Sequence, residues 1–186
     1  MKAIKSISDK VDRIDILINN AGLAAGKANI DGGSLDDWDQ MIDTNVKGLL
    51  YMTKATLPLI KKSDCPHIFN VASTAGKETY LGGNVYCASK HAVDSLSKAM
   101  RIDLLPFEIK VTNIAPGMVD TEFSLVRFKG DKNKAEQVYE GFTPLYAKDV
   151  ADVIEFAASR PSHVNINDLV ITCTAQANSF YTHKKS

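Results

Sequence analysis

Three residues within one stretch could move a proton on and off an oxygen: Ser73, Tyr86 and Lys90. Tyr86 and Lys90 stand four apart, one turn above each other on the same face of a helix. A free tyrosine has a pKa of ~10 and little phenolate at neutral pH. An ammonium one turn away favours the phenolate and draws that pKa toward working pH. Ser73 ends an apolar run, residues 67–72, and is placed to hydrogen-bond whatever oxygen the tyrosine serves. Y-x-x-x-K spacing recurs in many helices by chance, so its meaning rests on the elements that carry it.

Residues 3–11 put Ala3, Ile4, Ile7 and Val11 at near-helical spacing, so the chain is expected to open in an amphipathic helix. Residues 14–18 (I-D-I-L-I) read as a strand ending in Asn19-Asn20-Ala21-Gly22, where small residues let a ligand approach the backbone. Ser34, with Asp37 three residues on, caps a long helix. Its apolar positions Trp38, Met41, Ile42, Val46, Leu49 and Leu50 carry it to about residue 62, with a kink expected at Pro58. A strand over 67–73, a helix over 85–105 stopped by Pro106, and a strand over 108–115 closing on Pro116-Gly117 follow.

Residues 118–143 are polar with short helical patches at 121–128 and 134–139, and so long an excursion reads as a lid over a site. A helix over 147–159 and a strand over 168–174 come next, and the polar tail from 175 is expected to be loosely held. Strands alternating with helices predict an α/β, Rossmann-like doubly wound parallel sheet, which binds ligands at its strands' carboxyl ends. Those ends are Asn20-Ala21-Gly22, Ser73 and Pro116-Gly117, so the chemistry-bearing residues converge on one crevice.

The 186 residues suit a single domain, with 45% hydrophobic and 24% charged residues. A formal net charge of zero gives no reason to expect nucleic acid or an anionic membrane as partner. Cys65, Cys87 and Cys173 are odd in number and lack C-x-x-C spacing, which fits reduced thiols in a cytoplasmic protein. The four histidines show no metal-ligand spacing, and no metal is expected.

N-N-A-G at 19–22, Asn45 in T-N-V-K-G, Ser73, Y-C-A-S-K at 86–90 and P-G at 116–117 jointly resemble the short-chain dehydrogenase/reductase family, over the whole chain. The resemblance implies Tyr86 as catalytic acid/base, with Lys90 lowering its pKa and holding the nicotinamide ribose. It implies that Ser73 polarises the substrate oxygen and that Asn45 holds a water in the proton relay. Asn20 and Gly22 would lie along the cofactor's adenosine side, and Pro116, Gly117, Met118, Val119 and Thr121 would border the nicotinamide.

A finer resemblance is to NADP-dependent serine/3-hydroxy acid dehydrogenases, through I-D-T-N at 42–45, T-E-F-S-L-V-R-F-K-G-D at 121–131 and S-H-V-N-I-N at 162–167. It implies hydride transfer between NADP(H), with NAD still open, and the hydroxyl-bearing carbon of a small 3-hydroxy acid such as serine. Arg127 is the candidate for the substrate carboxylate, which its fork can bind in bidentate fashion; the bland reading is an ordinary lid ion pair. A homodimer or homotetramer is implied as well. A 3-oxoacyl carrier-protein reductase, which shares Asn45, Ser73, Tyr86 and Lys90, stays open as an alternative.

One departure stands out: no G-x-x-x-G-x-G or G-x-G-x-x-G occurs to receive a pyrophosphate. The expectation is therefore a single partial Rossmann-fold domain, N-terminally truncated, with the first three strands and glycine-rich loop absent, roughly 60 residues. Such a chain would expose an apolar strand edge and bind no dinucleotide in the micromolar range. A catalytically inactive truncated interaction module is the corresponding non-enzyme alternative.

Overall fold

The computed structural model describes residues 10–185, so the helix expected over 3–11 lies almost wholly outside the described residues. Four short runs form one parallel sheet, in the order β1 (Ile16–Asn19), β2 (His67–Val71), β3 (Lys110–Pro116) and β6 (Asp168–Ile171). A small parallel ladder pairs β4 (Val119–Asp120) with β5 (Leu145–Tyr146). The helices are α1 (Leu35–Ile42), α2 (Leu49–Ile60), α3 (Asn84–Asp103), α4 (Phe123–Arg127), α5 (Lys132–Gln137) and α6 (Ala147–Ala158). Parallel pairing demands long crossovers, and helices fill them here.

Both sheet faces are covered, which is why β2 and β3 are buried almost end to end. On one face Leu17, Ile68 and Val111 pack with Leu49 and Ile60 of α2 and Val93 and Met100 of α3. On the other, Phe69 and Ile114 meet Val150, Val153, Ile154 and Ala157, a single stripe of α6 at helical spacing. β1 is the edge strand among the described residues: Ile16 and Ile18 are each 46% exposed while Leu17 between them is buried. The exposed apolar edge expected from the sequence is present.

A polar rank crosses this apolar sheet. Asn19, Asn70, Asn113 and Asp168 stand side by side in register. Asn19 donates to Asn70 (2.9 Å), Asn70 to Ser97 of α3 (2.9 Å), and Asn113 to Asp168 (2.8 Å) and to Asp94 of α3 (3.1 Å). Lys77 then bridges Asp94 (2.5 Å) and Asp168, and Lys98 caps Asp94 from outside (2.6 Å). A one-residue slip of any strand would leave these buried amides without partners, so the rank pins register.

Ser73 caps a 3₁₀ turn, Thr74–Gly76, and its hydroxyl accepts the Ala75 N–H (3.1 Å). The turn lies directly on α3. A Cβ built on Gly76 would stand 2.6 Å from the Lys90 carbonyl oxygen and 2.9 Å from its carbon. Only glycine permits that approach.

Two sequence expectations need correction. The helix expected to run unbroken to about residue 62 departs from α geometry at a π segment, Asp43–Gly48, whereas Pro58 sits in the last turn of α2. The buried Asn45 carries this segment, its side chain tied to neighbouring elements, and such bulges are frequent at functional sites. The tail is also held rather than loose. Gln176 is buried and bridges to Thr182, His183 donates to Ala175 (2.8 Å), and Lys185 donates to Gly141 (2.8 Å). Backbone pairing of this kind leaves no signature in residue type.

Gly76→Ala forces the turn off α3 and is expected to cost about 1–3 kcal/mol, as overpacking does. Urea unfolding of the variant measures it; an unchanged midpoint would mean that the approach is slack.

Candidate active site

The strand ends open into one cleft of about 840 Å³, within the range of small-molecule and cofactor sites. Asn20 and Gly22 reach it from the end of β1, Ser73 from β2, and Pro116, Gly117, Val119 and Thr121 from β3 onward. Tyr86 and Lys90 enter from the first two turns of α3. The cleft gathers these sequence-predicted residues, while Asn45, Met118 and Arg127 stand behind its wall.

Asn45 is a clamp. Its amide donates to the Leu23 carbonyl (2.8 Å) and the Ser89 hydroxyl (2.9 Å), and its oxygen accepts the Leu23 N–H (2.9 Å). One lone pair on that oxygen is left for a water. The Met118 N–H is taken by the Gln176 side-chain oxygen (2.8 Å), so it is closed to a ligand. Gln176 is a site residue that sequence reasoning missed. Its oxygen lies 2.1 Å from where a Gly117 Cβ would be, so it shapes the backbone at 117–118 from behind. Nothing in the polar tail's pattern marked it.

Tyr86 is buried, its ring 5.6 Å from Phe123. Burial pushes the phenol well above the ordinary tyrosine range, while hydrogen bonding to Ser73 and the charge of Arg127 pull it down. Lys90, expected to lower that pKa, stands over the same ring. Its ammonium sits 6.0 Å from the Tyr86 ring centroid and donates to the Val71 carbonyl (2.9 Å). Burial alone holds Lys90 down at about 8. Ser73, besides facing Tyr86, makes a long contact with the Pro116 carbonyl (3.4 Å) and keeps its hydroxyl at the cleft.

Arg127 ends α4. Its Nη1 donates to the Tyr80 hydroxyl (2.9 Å) and its Nε to the Gly26 carbonyl (3.3 Å), while the Gly26 N–H returns a bond to the Arg127 carbonyl (3.0 Å). Its Nη2 is buried without a partner. Lys129 reaches Asp37 of α1 (2.9 Å), so the segment expected to be a lid is tied to α1 by Lys129 and to the loop after β1 by Arg127.

The residues present fit the nicotinamide end of a dinucleotide. Gly22 leaves Lys90 open to the cleft, since a Cβ there would come 3.3 Å from the ammonium, and Pro116 and Val119 offer apolar wall. Lys90, Ser73 and Asn20 supply donors beside it. Among the described residues no glycine-rich turn opens a helix onto the cleft.

Residues 1–131 match the family model for short chain dehydrogenase. An NADP-dependent 3-hydroxy acid dehydrogenase of Escherichia coli is 46% identical over 175 residues, 94% of this chain and 71% of the relative. One from Schizosaccharomyces pombe is 41% identical over 182 residues, 98% and 70% respectively. A solved structure of the closed form of serine dehydrogenase with NADP+ superposes with a TM-score of 0.91 at 43% identity, covering 100% of this chain and 77% of the other.

The buried Lys90 predicts a pH signature. Its folded pKa, about 8, lies below its ordinary 10.5, so between these values the unfolded chain holds a proton that the folded one has released. Stability therefore rises with pH across that window, and the cost of burying the charge is full below it. Lys90→Met should raise unfolding free energy at neutral pH by an amount on the order of 3 kcal/mol and flatten the rise. Urea midpoints between pH 7 and ~10.5 check it; an unchanged slope would contradict the assignment.

Proposed function

On the premise that this chain belongs to the short-chain dehydrogenase family, and so is an oxidoreductase, we propose that it moves a hydride between NADP(H) and the hydroxyl-bearing carbon of a small 3-hydroxy acid, with Tyr86 as acid/base. The observation that carries this reading is the meeting of Ser73 and Tyr86 at one cleft, each within the other's electrostatic reach. When bound, the nicotinamide supplies the hydride donor or acceptor.

The chain's own residues handle the proton. In reduction the Tyr86 phenol gives its proton to the carbonyl oxygen as the carbon takes up hydride. In oxidation the phenolate takes the proton back from the hydroxyl. Ser73, fixed by the turn it caps, hydrogen-bonds the same oxygen and holds it against Tyr86. Lys90 presents its ammonium at the floor of the cleft, where a ribose hydroxyl would lie. Burial of Tyr86 and Lys90 keeps water from the reacting oxygen, which strengthens each of these contacts.

Arg127, whose Nη2 is buried without a partner behind the wall of the cleft, is the guanidinium that a substrate carboxylate would have to reach. The similarity to dehydrogenases of 3-hydroxy acids and of serine supports an acid as substrate.

Tyr86→Phe is the test. Loss of the proton donor should lower kcat by about 10²–10⁴-fold, with NADPH affinity by calorimetry nearly unchanged. Turnover near that of the unaltered enzyme would remove Tyr86 from the role.

A further inference from the structure

A second cavity, of about 600 Å³, opens at the other end of the sheet from the cleft. Strand β3 begins beside this cavity at Lys110 and ends beside the cleft at Pro116. At about 3.3 Å per residue the two lie about 20 Å apart, and no residue lines both.

The polar part of its wall carries charges that lack counterparts. Lys110 is only 6% exposed, and its ammonium makes a single long contact, to the Arg160 carbonyl (3.4 Å). Arg101, from the last turn of α3, donates through Nη1 to the carbonyls of Val111 (3.1 Å) and Asn167 (2.8 Å). Neither cation meets a carboxylate among the described residues. Two acids also border the cavity: Asp64 is held by Arg13 (3.1 Å), and the exposed Glu108 makes no ion pair among the described residues. Lys61 adds a further positive charge beside the cavity, its ammonium 3.4 Å from the centroid of the Phe107 ring. Burying a charge is costly unless it is paired, so this wall favours an anion.

Asn165 gives the wall a direction. Its Nδ2 donates to the same Val111 carbonyl that takes Arg101 (3.2 Å) and to Asn167 Oδ1 (2.7 Å). Its own Oδ1 is buried without a partner. With both donors spent, the side chain offers an acceptor close to a guanidinium. Apolar wall comes from Pro66, Leu105, Phe107 and Ile109. Apolar lining with a few convergent polar groups is the make-up of a small-molecule site.

We propose that this cavity is a second binding site, for a small organic acid that carries a hydroxyl or amino donor next to its carboxylate and an apolar body. The carboxylate pairs with Lys110 and Arg101, the donor hydrogen-bonds Asn165 Oδ1, and the body packs on Leu105 and Phe107. The site needs neither a dinucleotide nor Tyr86, so it stands apart from the reaction at the cleft.

Cys65 supplies a local probe, because it lines the cavity and is exposed while Cys87 and Cys173 are buried. Its alkylation by iodoacetamide, a neutral reagent, is followed by mass spectrometry as phenyllactate is added to the protein. The rate should fall saturably by about fivefold or more, with half-protection at about 1 mM, the order that two charge-assisted hydrogen bonds support. Phenylpropionate, which lacks the hydroxyl, should bind about fivefold more weakly, and the uncharged diol that lacks the carboxylate should give no protection. Lys110→Met should weaken protection by about tenfold or more, and Asn165→Leu should erase the preference for the hydroxy acid. Should neither variant fold, His163→Glu on the exposed rim should weaken protection by about two- to fivefold through its added negative charge.

Alkylation that phenyllactate does not slow at about 20 mM, well above the expected half-point, overturns the proposal. So does equal protection by the diol, or protection unchanged in Lys110→Met or, where that variant does not fold, in His163→Glu. Inorganic phosphate acting as well as phenyllactate would show a response to charge alone and overturn the assigned ligand class. Because the signal arises at Cys65, binding at the cleft does not enter it.

Discussion

Between the α-carbon of Gly76 and the carbonyl of Lys90 there is no room for a side-chain carbon, and the site's geometry follows from that contact. The turn bearing Ser73 and the helix bearing Tyr86 and Lys90 are successive elements, linked by residues 77–83 and packed on each other. Pressed together at backbone distance, they bring Ser73 and Tyr86 to the same cleft. The bond from Lys77 to Asp94, on the next turn of the same helix, fastens the far end of the joint. Asn45 fastens the loop after β1 to α3 through Ser89. Three strand ends thus share one rigid partner, and preorganisation of that kind is what positioned proton transfer needs.

Polar groups are buried in number around this joint, and nearly all are matched. Asn70, Asn113 and Ser97 are fully buried in or against the sheet and spend their bonds on one another or on Asp94 and Asp168. A half-satisfied network would cost more than an apolar core. At the cleft the under-compensated groups are Lys90, whose charge has only a carbonyl, and Tyr86, whose phenol burial raises, while away from it the buried His67 Nδ1 and Asn113 Oδ1 also lack partners. Tyr86 and Lys90, both strongly shifted by burial, stand where the chemistry is proposed, as functional groups often do, and the buried His67, held down at about 4, is shifted away from it.

The alternation of β-branched runs with helical periodicity made the doubly wound sheet legible, because both periodicities are written in residue type. That Ser73, Tyr86, Lys90, Asn20, Gly22, Pro116, Gly117, Val119 and Thr121 would gather at one cleft was legible as well, since strand ends converge. Less legible was anything that depends on what a side chain meets across space. The π segment at Asn45 follows from bonds to Leu23 and Ser89, residues 22 and 44 positions away. Gln176 sits in a tail with no pattern, and its role exists only because Gly117 comes to it. The nearness of Arg127 to the Tyr86 ring, 5.7 Å from its centroid, was not legible for the same reason. Helical spacing put Lys90 on the face it occupies, but the carbonyl it donates to belongs to β2.

The central claim is that Ser73 and Tyr86 act as one unit on one oxygen, held by the joint between turn and helix. A double-mutant cycle in kcat/KM measures this directly, with Ser73→Ala, Tyr86→Phe and the pair together. Residues that act as a unit are grossly non-additive, so the double variant should lie within about threefold of the worse single one. Losses that multiply, so that the double variant falls by the product of the two single effects, would show two independent groups and contradict the account.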